Sequence, residues 1–63
     1  MISIRAAHQN KGELVRYRLP DPAEPVRKGV IVGTSARRVF VRFEGDKSAT
    51  LTNPEYLEWV VAH

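Results

Sequence analysis

Seven arginines against three lysines make planar guanidinium groups the main cationic chemistry of this 63-residue chain. A guanidinium fork suits phosphates, base edges and aromatic faces better than a point charge does. Arg38, Phe40 and Arg42 alternate in sequence, as do Arg16 and Arg18, and residues two apart on a strand share a face. Arginines that meet phosphates, beside an exposed ring that stacks on an unpaired base, make a nucleic-acid-binding surface. These five residues are therefore the candidate site, with Arg27, Lys28 and Arg37 near its ends. A second reading is a protein-protein interaction module or an oligomeric scaffold. There Phe40, Tyr56 and Trp59 anchor a protein interface or a homo-oligomer contact, since aromatics and arginine are favoured in such anchors. A third is structural: Phe40 fills a subsidiary core and the arginines only solvate a strand.

The chain offers no placed nucleophile and base. His8 lies in a weakly patterned segment and His63 is the last residue. The acids Glu13, Asp21, Glu24, Glu44, Asp46, Glu55 and Glu58 are scattered. No glycine-rich phosphate loop is present. Two histidines without cysteine do not make a structural zinc site. The expectation is a binding protein and not an enzyme, with no cofactor and no metal.

A net charge of +3 permits a polyanionic partner without requiring one. Sixty-three residues allow one domain with a thin core, and self-association is one way to bury more surface. No apolar run approaches the roughly 18 residues of a membrane span. Met1 to Lys11 lacks the apolar stretch of a signal peptide. A cytoplasmic location with no membrane contact is expected.

These residues need elements to position them. Residues 1–11 read as a flexible or weakly structured segment, with a short strand suggested by Ile2 and Ile4. Glu13 to Leu19 alternates as a half-buried strand. Pro20-Asp21-Pro22-Ala23-Glu24-Pro25 excludes helix and central strand and reads as a stiff loop. Val26 to Gly33 reads as the second strand, with Gly29 marking a bulge or bend. After a turn at Gly33 to Ala36 comes the clearest strand, Arg37 to Glu44. Gly45-Asp46 marks a tight turn. Ser48 to Thr52 is the fourth strand, with Ala49 and Leu51 inward. Asn53 caps one helical turn that Pro54 opens, and Leu57 to Val61 is the last strand. The expected core is Val15, Tyr17, Val30, Val32, Val39, Val41, Phe43, Ala49, Leu51 and Leu57. Short strands at this spacing in so short a chain predict an all-β, five-stranded barrel with one helical turn before the last strand, spanning residues 12–61.

That order resembles the SH3-like barrel superfamily, which includes Tudor and KOW domains. Within it, Gly12-Glu13-Leu14-Val15-Arg16 and Gly29-Val30-Ile31-Val32-Gly33 are similar to the first two barrel strands of plasmid-borne type II dihydrofolate reductases. Ser48 to Val60 is similar to their last two strands, with Leu57-Glu58 in common. The resemblance implies a tetrameric relative built around a central pore. The pore motif is missing. Thr50, Leu51 and Thr52 stand at its Gln-Ile-Tyr run, and Tyr17 stands at its lysine. The implication is shared architecture without reductase chemistry, with a divergent reductase as a minor alternative.

Overall fold

The computed structural model describes residues 1–60. Val61, expected to end the last strand, and His63 lie outside the described residues. The elements are a short helix α1 (Ile4–Gln9), strands β1 (Leu14–Tyr17), β2 (Arg27–Thr34), β3 (Val39–Phe43) and β4 (Thr50–Thr52), a 3-10 turn (Pro54–Tyr56), and strand β5 (Leu57–Trp59). The strands form one antiparallel sheet in the order β4-β3-β2-β1-β5. The fold is all-β with the helical turn before the last strand, as expected. No ladder joins β4 to β5 among the described residues.

Local chemistry explains the punctuation. The Asn53 side chain accepts the Glu55 N–H at 3.0 Å, which caps the 3-10 turn. The hairpin between β2 and β3 closes where the Ser35 N–H donates to the Arg38 carbonyl at 2.9 Å. β2 therefore runs to Thr34, beyond the expected turn at Gly33. The Asp46 N–H donates to the Phe43 carbonyl at 3.0 Å across a turn in which Gly45 has φ +87°, a backbone region that glycine enters without steric cost. In the proline-rich loop the Asp21 carboxylate accepts the Ala23 N–H at 2.9 Å, building a local turn.

The inner face carries Val15, Ile31, Val39, Val41, Phe43 and Leu57, all buried in one cluster. Tyr17 packs against it, edge-on to Phe43 with ring centroids 5.8 Å apart. Four expected core residues are elsewhere. Val30 is half-buried, and Val32, Ala49 and Leu51 are exposed. In β2, the unbroken apolar run Val30-Ile31-Val32 contains no alternation to choose a face, and Ile31 turns inward. In β4, Thr52 turns inward and Leu51 outward. The buried Thr52 hydroxyl is satisfied because it donates to the Thr50 carbonyl at 3.0 Å.

Gly29 does not mark the bulge. It pairs in register with Phe43 on one side and Val15 on the other. A Cβ there would stand 2.6 Å from Val41 Cγ1, 2.8 Å from the Arg42 carbonyl oxygen and 3.1 Å from Phe43 Cα. The glycine is a close-approach residue of the inner face. The bulge lies three residues on. Ile31 pairs with Val41 and Gly33 with Phe40, leaving Val32 as the extra residue.

The N-terminal segment is a helix and not a strand. Ser3 caps it, accepting the Ala6 N–H at 3.0 Å. Ile2 and Ala7, on either side of that cap, are both buried in the core cluster, with Ile4 packed against it. This is the spacing of a hydrophobic staple. The Ile2 N–H also donates to the Pro54 carbonyl at 3.1 Å, tying the segment to the 3-10 turn. Two isoleucines two apart imitate a strand; Ser3 and the three-residue step from Ile4 to Ala7 were the helical signal.

Two substitutions test this packing by chemical denaturation. Val41→Ala should cost about 1–3 kcal/mol through lost transfer energy and a residual cavity. Gly29→Ala should cost a similar roughly 1–3 kcal/mol by the opposite route, overpacking. A neutral Gly29→Ala would mean that β2 and β3 are not held so closely.

Candidate functional site

Alternation along β3 sends Val39, Val41 and Phe43 inward, so Phe40 and Arg42 share the outer face. The ladders extend that face across the sheet. Phe40 stands between Gly33 of β2 and Leu51 of β4. Arg42 stands beside Val30, which stands beside Leu14. In the next row Lys28 is beside Arg16, and Arg16 beside Glu58.

The two arginines of the first strand region are drawn to one carboxylate. The Arg18 Nε donates to Glu58 Oε1 at 3.1 Å, and the Arg16 Nε lies 3.8 Å from the same oxygen. Like charges directly opposite in a sheet repel, so Glu58 also offsets the pairing of Arg16 with Lys28. Arg42 differs. Its side chain makes no ion pair or hydrogen bond among the described residues. Arg38 lies in the turn before β3, exposed, with Nη1 donating to the Arg37 carbonyl at 3.1 Å.

Arg27 is withdrawn from the set. Its guanidinium sits 4.4 Å from the centroid of the Phe43 ring and pairs with Asp46 at 3.3 Å. It closes one end of the core as a cation–π contact. Glu44 stands across a shallow groove from Lys28, lined also by Val26 and Arg27, and its N–H donates to the Lys28 carbonyl at 3.1 Å. The outer face thus presents Arg16, Arg18, Lys28 and Arg42 against Glu44 and Glu58.

The same face is partly apolar. Leu14, Val32 and Leu51 are 44%, 51% and 54% exposed, and Phe40 is half-buried outside the core cluster. Val32 and Leu51 were hidden from sequence reading because each looked like an inward strand residue. The aromatic trio Phe40, Tyr56 and Trp59 is not one patch. Tyr56 lies in the 3-10 turn with its ring edge-on to Tyr17 at 6.3 Å. Trp59 pairs in register with Val15 and packs against the core. His8 Nδ1 lies 3.5 Å from the Thr34 hydroxyl. Among the described residues no three acidic or histidine side chains gather to hold a metal ion, and no helix is long and apolar enough to cross a membrane.

Glu58→Gln isolates the role of the shared carboxylate. Exposed ion pairs contribute about 0.2–1 kcal/mol, so the melting temperature should change little. Retention on heparin should increase because two guanidinium groups lose their counterion. Unchanged retention would mean that Arg16 and Arg18 do not face a polyanion.

No protein-family model matches the chain, and no curated protein or solved structure matches it.

Proposed function

We propose that this chain is a small non-catalytic binding module that engages nucleic acid through the outer face of its sheet. The observation that carries this reading is Arg42, unpaired among the described residues, next to half-buried Phe40 on the same face of one strand. Lys28 supports it, with no ion pair among the described residues. An uncompensated cation beside a ring suits a polymer that carries both phosphates and bases.

The exposed Leu14, Val32 and Leu51 favour a second reading, a protein partner or another copy of this chain. Charge weighs against the second copy. An isologous dimer would set four cations and two carboxylates against the same set. Such a face repels its own image more than it attracts it. A polyanion meets no such opposition.

We propose an SH3-like architecture as well. The sheet order, the long loop after β1 and the single 3-10 turn before β5 support it. The resemblance to type II dihydrofolate reductases supports architecture alone, because Thr50, Leu51 and Thr52 offer no amide or phenol side chain.

Two measurements test these readings. In anisotropy titrations of labelled oligonucleotides, Lys28→Ala and Arg42→Ala should each weaken binding. Each should lower the slope of log K against log salt by about 0.7–0.9 if its cation meets one phosphate. Failure of the wild-type protein to bind any oligonucleotide at low salt would turn the assignment to a protein partner. In the second, the purified protein should leave dihydrofolate and NADPH unreacted. Turnover that survives repurification and vanishes in Thr50→Ala would restore the reductase reading.

A further inference from the structure

We infer that the outer face takes single-stranded nucleic acid, with one unpaired base stacked on Phe40 in the notch that Gly33 leaves beside the ring. This rests on the nucleic-acid reading above and specifies which form of the polymer the face accepts.

The notch is a product of the bulge in β2. Without it, the register that pairs Ile31 with Val41 would bring Val32 toward the place beside Phe40. The extra residue instead brings Gly33 there. A Cβ on Gly33 would sit 4.0 Å from Phe40 Cδ2, an ordinary contact, and its chain neighbours Val32 and Thr34 aside, nothing else among the described residues lies within 4 Å of it. Gly33 therefore sets no side chain of its own against that flank of the ring. On the other flank stands Leu51, 54% exposed. Val32, 51% exposed, borders the notch along β2. A half-buried ring held on a strand, with one open flank and apolar neighbours, is a stacking platform.

Shape selects the single strand. Five strands at about 4.8 Å spacing make a face roughly 19 Å wide. The major groove of a duplex is about 12 Å wide and admits a helix or a two-stranded ribbon. Phe40 lies on the body of the sheet, on the second strand from the β4 edge, so the sheet meets the duplex backbone before the ring reaches a paired base. An unpaired base has no such obstacle and comes to the ring.

The cations continue from the platform. Arg42 follows Phe40 on the same face, about 7 Å along the strand. Lys28 is its diagonal neighbour across β2 at about 7–8 Å, and Arg16 is directly opposite Lys28 at about 5 Å. A backbone laid from Phe40 toward β1 meets Arg42, Lys28 and Arg16 in turn.

The test is anisotropy titration of wild type and variants with single-stranded and duplex oligonucleotides of equal length, one single strand carrying 2-aminopurine to report stacking. Wild type should prefer the single strand and change the 2-aminopurine emission. Phe40→Leu should weaken single-strand binding about 5- to 150-fold, the fold-change for one lost stacking contact, without altering the salt slope. Phe40→Trp should retain it. Gly33→Val fills the notch while leaving residue 40 a phenylalanine and should reproduce the loss, which keeps the test decisive if Phe40→Leu unfolds. Gly33→Ala should retain the wild-type melting temperature.

Equal binding of duplex and single strand, weakened by Lys28→Ala and Arg42→Ala but not by Phe40→Leu or Gly33→Val, would overturn the stacking inference and leave the nucleic-acid reading intact. No binding of either form would overturn both. A wild-type dimer in sedimentation that Gly33→Val dissociates would assign the notch to a second copy of the chain instead.

Discussion

At Gly29 the backbone of β2 lies so close to β3 that an added methyl carbon would stand 2.6 Å from Val41 Cγ1 and 2.8 Å from the Arg42 carbonyl. The contact sets the phase of β2. With Gly29 on the inner side, Ile31 follows it inward and Lys28 and Val30 are sent outward. A shift by one residue would exchange the two faces of the strand. The core would lose Ile31, and the cation row would lose Lys28. The composition of both faces depends on this one close approach.

The bulge that follows alters the phase once more, and only locally. Past Val32, the residue of β2 beside Phe40 is Gly33 and the residue beside Val39 is Thr34. The inner face can afford the change because Val39 is already covered and Thr52 reaches it from β4. The outer face gains an unfilled place next to its aromatic ring. A device that bends the strand for the core is thus also what leaves Phe40 open on one flank.

A chain of this size has little apolar surface to bury, and its helix makes up part of the deficit. Ile2 and Ala7 add to a cluster that the strands alone would leave thinner. At the other end, Arg27 lies over Phe43 and Tyr17 packs between Phe43 and Tyr56. The N-terminal segment and the Tyr17–Arg27 pair at the ends of β1 and β2 thus both add cover to the inner face.

Much of this was legible in the residues themselves. Alternation in Val39-Phe40-Val41-Arg42-Phe43 determined which side of β3 is core and which carries Phe40 and Arg42, because the period of a strand is two whatever it packs against. Asn53-Pro54 determined the helical turn, and Gly45 the tight turn, because each acts on backbone within a few residues of itself. The phase of β2 was not legible, since Val30-Ile31-Val32 is apolar throughout and only contact with β3 separates them. Nor was the inward threonine of β4, whose hydroxyl is satisfied by a carbonyl of its own strand once the strand is paired. Ion pairing across strands was equally hidden. Glu58 lies forty residues from Arg18 in the chain, and only the ladder between β1 and β5 makes it the counterion of Arg16 and Arg18, while Arg42 has none among the described residues. Local signals determined the elements and the outward direction of the candidate residues. Register, a long-range property of paired strands, decided their neighbours.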